Sequence, residues 1–424
     1  MANSEEKHDT LSNEVVKKCL YDLLNARFPK ENHVYNIQKA TAKGDNYMGE
    51  VYRITVTLHQ STNKCFSLIL KVPPQNLIRR KQFFAEPCFL REALAYDEFL
   101  PLVMQFQTDK GIAANNGFFA VAKCYKTLTA EMNEAIFLED LSLRGYQMFD
   151  RFQLISIDYV STIMRLYGQL HAVSFAIKDQ CVEKLHKFQL MQDIFLLRRD
   201  DNQMSGYFDE LKKNTLNTLN STEDEKYKLK LESFLAKGTF FDMFLEYVKG
   251  KKCEPYTVIC HGDCWNNNIL FKLENSKVAD ACLIDWQIMR YASPITDIMY
   301  YIFTCTTGEF RRDHYVDMIN VYYSSLSEHI RRLGSDPIKL FPRAAFNDEL
   351  IKYGVFGLFM AMMVLPVTTI KSEDVPDLEA LSAQLEAGGT IDFEGSGFSG
   401  HSNSGAYNKR MRDAVVDCIN YGYL

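Results

Sequence analysis

Apolar residues recur at helical spacing over residues 12–28, where Val15, Val16, Cys19, Leu20, Leu23 and Leu24 predict an amphipathic helix. Two strand-like runs follow: EVYRITVTLHQ (50–60) alternates apolar and polar, and KCFSLILKVPP (64–74) is nearly continuously apolar. The STNK between them is turn chemistry, so the pair predicts an antiparallel hairpin. A helix is expected from Glu86 to Phe99, ended by Pro101. GFFAVAKCYKT and EAIFLEDL read as two further strands, which makes residues 1–139 a small sheet-based lobe.

From residue 140 to 424 the pattern becomes helical. DYVSTIMRLYGQLHAVSFAIK predicts a long helix, residues 205–250 read as helical, and further helices are expected at 295–306, 311–333, 345–365 and 405–420. The apolar run YGVFGLFMAMMVLPV (353–367) is shorter than the ~20 residues a membrane-spanning helix needs. It contains Gly354 and Gly357 and is expected to end at Pro366, so it reads as a buried core helix. EAGGTIDFEGSGFSGHSNSG (386–405) is rich in Gly and Ser and is expected to be a mobile loop.

Two strands interrupt this helical half, and both carry polar groups that a core would exclude. VICHGDCWNNNILF (258–271) holds His261, Asp263 and three asparagines; ACLIDWQ (281–287) holds Asp285. Phosphoryl transfer needs hard oxygen ligands for magnesium, a cation on the phosphates, and a carboxylate that orients the attacking hydroxyl. A catalytic Asp263, Asn268 five residues later and Asp285 at the end of the next strand meet the first and third needs. The polar turn around ENSKV would fold the two strands into a hairpin and return Asp285 to the side of Asn268.

The first lobe supplies the cation. Lys71 ends the apolar strand SLILKV, and Glu92 in FLREALAYDEFLP lies on the following helix, where it can pair with Lys71. KGDNYMGEVYRI offers a phosphate-covering turn with Gly44 and Asn46, and the backbone from Glu139 to Leu141 would face the adenine as a hinge. His261 reads as a structural residue bonding the loop backbone, and His171 as a packing histidine. Asp297 reads as a helix-start carboxylate that caps amides or steadies the loop. Asn266 and Asn267 are expected to fix the loop through backbone hydrogen bonds, and Tyr300, Tyr301 and Phe303 to be core.

At these residues the chain resembles the ecdysteroid kinase-like (CHK kinase-like) family of the aminoglycoside phosphotransferase and choline kinase superfamily. The likeness runs through GDNY, LKVPP, FLREALAYDEFLP, FLEDL, HGDCWNNNILF, IDWQ and SPITDIMYYIF into MAMMVLPV. It implies an α+β, two-lobed protein-kinase-like fold with a small antiparallel-sheet N-lobe and a larger, mainly helical C-lobe. It further implies ATP- and Mg²⁺-dependent phosphorylation of a small-molecule alcohol, an ecdysteroid or related apolar compound. In that carry-over Asp263 is the catalytic base, Asn268 and Asp285 hold the metal, and Lys71 with Glu92 positions the phosphates. Trp286 stands where Phe is commoner. A protein kinase fits less well, because Gly262 and Gln287 replace the Arg and Gly of its two signatures and no Ala-Pro-Glu follows. A choline- or aminoglycoside-type kinase and a nucleotide-binding scaffold without turnover are the alternatives.

Composition adds limits. Hydrophobic residues make up 47% of 424 and the net charge is −6, so no nucleic-acid partner is expected. The start, MANSEEKHDTLSNEVVKK, has no apolar core of a signal peptide, and eleven cysteines without a C-x-x-C pair read as reduced thiols. A cytoplasmic protein without membrane partners is the expectation. Cys260 and Cys264, with three residues between them and without a second pair, make a poor zinc site.

Overall fold

The structure is a computed structural model, and it describes residues 11–29, 33–40, 49–58, 65–200, 202–370 and 404–424. The STNK turn, the loop with Gly44 and Asn46, and the Gly/Ser-rich segment up to residue 403 lie outside the described residues.

Helix α1 (Glu14–Arg27) starts where the Asn13 side chain accepts from the amides of Val15 and Val16, an N-cap. Its buried face, Val16, Leu20 and Leu24, packs on an antiparallel sheet. The sheet contains β1 (His33–Lys39), β2 (Glu50–Leu58), β3 (Cys65–Val72), β4 (Cys124–Leu128) and β5 (Ala135–Glu139), in the order β1-β2-β3-β5-β4. Strand β1 carries no sequence signal of its own. It is an edge strand with Ile37 as its one fully buried position, so its polar side chains face outward and hide the alternation.

The helix expected over Glu86–Phe99 is longer than the pattern suggested. Helix α2 (Leu77–Gln82) precedes it, α3 (Ala85–Leu94) begins after a left-handed Phe84, and α4 (Leu100–Asp109) continues it. Pro101 therefore does not end the helix. The turn Ala95–Phe99 is π-helical, with the Leu100 amide reaching back to Ala95, and this wider turn accommodates the proline that follows. Phe99 and Val103 of this continuous rod enter the larger, helical core beside Tyr167 and Trp286.

That larger core is built on α5 (Ile157–Gln180) against the helix Gly308–Arg332. The two approach closely at Gly168, where a Cβ would stand 2.8 Å from the Tyr322 carbonyl oxygen. The helix expected at 345–365 is two helices, Arg343–Tyr353 and Phe356–Thr369, bent by 49° at Gly354, against which the ring of Tyr423 packs. Pro366 lies inside the second helix. Its missing N–H removes one backbone bond, and the helix nevertheless runs on to Thr369. The run is buried, and among the described residues no single helix is long and apolar enough to cross a membrane.

Two small sheets, one of three strands and one of two, sit in this helical half and position the polar loop. Strand β6 (Tyr146–Met148) pairs β8 (Ile269–Glu274), which pairs β9 (Lys277–Leu283); β7 (Val258–Cys260) pairs β10 (Arg290–Ala292). The β8–β9 turn places Asn275 and Ser276 at φ of 52° and 63°, the two left-handed residues of a tight hairpin turn.

Candidate active site

The hairpin returns the chain as the sequence requires. Ile269 stands opposite Leu283, and the amide of Ile284 donates to the Asn268 carbonyl at 3.0 Å, one residue short of Asp285. The other end of the loop is gripped by Asp297 on the helix Ile295–Cys305. Its carboxylate accepts from the amides of His261 at 2.7 Å and Gly262 at 3.0 Å and meets His171 Nε2 at 3.2 Å. Gly262 has φ of +89°, and a Cβ there would fall 2.1 Å from the Ile288 carbonyl, so only glycine fits. Burial pushes the His261 imidazole down, and its Nε2 bonds the Ile284 carbonyl at 2.9 Å. A neutral ring donating there ties the loop to the end of β9. His261, His171 and Asp297 thus hold the loop in shape.

Asp263 is buried, with two side chains holding its carboxylate. Tyr300 donates its hydroxyl to Oδ1 at 2.9 Å and Gln287 its Nε2 to Oδ2 at 3.3 Å. Burial, and then the charge of Asp285, push its carboxyl above the ordinary range. Asn268 donates Nδ2 to the Asp263 backbone carbonyl at 3.1 Å, which leaves its Oδ1 as a ligand group. Asp285 has φ of +67°, a left-handed conformation uncommon outside glycine but tolerated by Asp and Asn.

Lys71 on β3 reaches this loop from the sheet. Its Nζ donates to Glu92 Oε2 at 2.6 Å and also to Asp285 Oδ1. Burial would push the ammonium down, but Asp285 and Glu92 outweigh it and hold it above its ordinary value. Burial in turn raises the Glu92 carboxyl, with Lys71 opposing.

Two cavities meet here. One, of about 360 Å³, lies between the sheet and the loop and is lined by Val51, Lys71, Leu138, Glu139, Leu141 and Asn268 among others. The second, of about 270 Å³, has apolar walls from Phe84, Ile194, Phe195, Ile288 and Met363, and Asp263 and Tyr300 lie in it. Asn268 and Asp285 line both. Of the sequence-predicted site residues, Lys71, Glu92, Glu139, Leu141, Asp263, Asn268 and Asp285 converge; Gly44 and Asn46 lie outside the described residues.

Two residues were misjudged from sequence alone. Tyr300 is not plain core, as Tyr301 and Phe303 are, since it bonds Asp263. The signal was available: Tyr300 lies three residues after Asp297, on the same face of one helix. Gln287 was read only as a departure from a kinase signature. Asn266 and Asn267 also differ from expectation, because the buried Oδ1 of one and Nδ2 of the other have no hydrogen-bond partner among the described residues. The ten cysteines whose side chains are described form no disulfide, and burial keeps Cys260 and Cys264 as thiols.

The donor set suits a small divalent cation. Asn268 Oδ1 and the Asp285 carboxylate are hard oxygen ligands on adjacent, rigidly held backbone, with room for phosphate oxygens in the cavity they share. An antiparallel-sheet N-terminal region, a helical C-terminal part and a lysine–carboxylate cluster between them define a protein of the kinase-like class. The model of the ecdysteroid kinase-like family matches residues 43–335, and the chain belongs to that family. Among solved structures, the chain is similar to aminoglycoside 2'-phosphotransferase-IIIa in complex with GDP at 12% identity and a TM-score of 0.40, covering 87% of this chain and 96% of that one. It is also similar to the AMP-bound complex of spectinomycin phosphotransferase APH(9)-Ia, at 14% identity and a TM-score of 0.31, covering 81% and 90%. No curated protein matches.

Proposed function

We propose that the chain transfers the terminal phosphoryl group of ATP, with Mg²⁺, to a hydroxyl of a small apolar alcohol such as an ecdysteroid. The observation that carries this reading is the pair of cavities sharing Asn268 and Asp285, with Asp263 lining the second only. Nucleotide would occupy the first cavity, its adenine against the strand-end backbone at Glu139–Leu141 and its phosphates toward Lys71. The acceptor would occupy the second. Magnesium, held by Asn268 and Asp285, would neutralise charge on the phosphates. Asp263 would accept a hydrogen bond from the acceptor hydroxyl and orient it, its raised carboxyl making it a better base than a solvated aspartate. Lys71, fixed by Glu92, would exchange Asp285 for phosphate oxygens when nucleotide binds.

The walls favour an apolar acceptor over a cationic one. Phe84, Ile194, Phe195 and Met363 offer dispersion contact to an apolar body, and Arg198 sets a cation against the carboxylates of Asp263 and Asp285 in the same cavity. In this reading the nucleotide-binding lobe is residues 1–139, the catalytic and acceptor lobe 140–424, and the reduced thiols suit the cytoplasm. The test is incubation of the purified chain with Mg·ATP and a mixture of sterols, ecdysteroids and amino alcohols, followed by mass analysis for added phosphate. Phosphate on an apolar alcohol supports the reading. Phosphate on choline alone reassigns the acceptor, and no phosphate on any alcohol points to a scaffold without turnover.

A further inference from the structure

A third cavity, of about 320 Å³, opens against loop residues Trp265, Asn266 and Asn267, and neither of the cavities above includes its two arginines, Arg151 and Arg410. The Nη1 of Arg151 and the Nε of Arg410 are buried without a hydrogen-bond partner. Their other contacts go to backbone: Arg151 Nη2 to the Ile370 carbonyl at 3.3 Å, and Arg410 Nη2 to the Thr304 carbonyl at 2.6 Å. Among the described residues no Asp or Glu lines the cavity, and neither guanidinium has an ion pair. Among the described residues the acids nearby are engaged elsewhere: Asp150 accepts from the Phe152 amide and the Gln153 side chain. Glu309 pairs Lys409 at the rim, Asp417 pairs Arg311, and Asp224 pairs Arg412.

Two cations with buried, unused donors are costly to keep unless something answers them. Burial pushes the Arg410 guanidinium down to about 10, with Arg311 adding to the effect. Among the described residues no carboxylate pairs with it. Guanidinium forks match the geometry of oxyanions, and apolar surface from Ile155 and Trp265 completes the walls. We propose that this cavity binds an oxyanion (a carboxylate, sulfate or phosphate ester) carried on a small apolar body and held by Arg151 and Arg410. The unpartnered Asn266 Oδ1 would accept from a hydroxyl or N–H of the same ligand. Because the wall is the chain between Asp263 and Asn268, an occupant here touches the loop that carries both.

The test is calorimetric titration of the full chain without nucleotide, so its outcome does not depend on kinase activity. The probes are naphthalene-2-sulfonate, neutral 2-naphthol and inorganic sulfate. The sulfonate is expected to bind at least tenfold more tightly than the naphthol, and Arg151→Gln and Arg410→Gln each to weaken it about tenfold or more, the worth of a charge-assisted hydrogen bond. Melting temperatures check folding, and Arg151, partly exposed, gives a usable variant if Arg410→Gln does not fold. Sulfate binding as tightly as the sulfonate assigns the cavity to a free oxyanion, and weaker sulfate binding assigns it to an anion on an apolar body. Absent sulfonate binding, equal affinity for 2-naphthol, or unchanged binding in the Arg151→Gln chain overturns the site.

Discussion

Lys71 and Asp285 are 214 residues apart in sequence and joined by a direct ion pair, with Glu92 on the other side of the ammonium. The cation therefore holds together two carboxylates that would otherwise repel, Glu92 buried and Asp285 partly exposed. Lys71→Met should destabilise the chain by about 3–5 kcal/mol, the cost of breaking a buried pair while leaving its partner charged. Adding Glu92→Gln should recover part of that loss. Urea unfolding of both singles and the double checks it, and strictly additive effects would separate Lys71 from Glu92 energetically.

Asp263 carries a carboxyl raised by burial, so the folded chain binds its proton more tightly than the unfolded chain does. The sign follows: its ionised form opposes folding, and the opposition grows as pH rises from the ordinary carboxylate range through the raised value. Asp263→Asn should lower turnover by about 10²–10⁴ while raising Tm. The Tm gap over the parent should widen between pH 4 and pH 8. Scanning calorimetry across that range reads it, and a variant less stable than the parent at pH 8 contradicts the account.

The hairpin that returns Asp285 to Asn268 was legible because a polar turn between two short apolar runs has few alternatives. Lys71 and Glu92 were legible because each sits at the apolar end or face of a regular element. What the pattern hid has physical causes. Strand β1 is an edge with one buried side chain, and Pro101 follows a π-turn that periodicity cannot show. Tyr300 sits in a uniformly buried helix, where only its spacing from Asp297 separates a side chain that bonds from those that merely bury. The cavity with Arg151 and Arg410 unites residues 259 positions apart, and nothing local in either stretch marks it.

Tyr300 lowers the proton affinity of Asp263 by donating to its Oδ1. Removing that bond should raise the Asp263 carboxyl further. Since the ionised form is the active one, Tyr300→Phe should move the acid limb of kcat/KM to higher pH. Gln287→Leu should move it the same way by less, because its bond is longer, at 3.3 Å. A pH–rate profile in the apolar acceptor decides this, and a limb that stays in place removes the tyrosine from the positioning of Asp263.

Asp297 behaves in the opposite sense. Burial would raise its carboxyl, but the hydrogen bond and charge of His171 outweigh burial and hold it below the ordinary range. Its stabilisation is therefore complete above the unfolded carboxylate value and is lost as pH falls through the lower folded one. Asn at this position cannot accept from both loop amides and His171 at once. Asp297→Asn should cost about 3 kcal/mol at neutral pH, with the difference from the parent shrinking under acid. Denaturant unfolding at pH 7 and pH 3 tests it; a constant difference would deny the carboxylate its charge-dependent role.

Asp285→Asn separates charge from shape, because asparagine tolerates the left-handed φ of +67° that most residues resist. The loop backbone should survive while one metal oxygen loses its charge. In the parent, nucleotide affinity should rise with added Mg²⁺ and fall on chelation; in the variant the response to Mg²⁺ should weaken about tenfold or more. The same substitution removes the negative charge that, after burial, raises the Asp263 carboxyl, so the acid limb of any residual activity should shift to lower pH. Fluorescent-nucleotide titration against Mg²⁺ measures the first effect and the pH–rate profile the second. A Mg²⁺ titration identical to the parent's would take Asp285 out of the metal site, whatever the limb does.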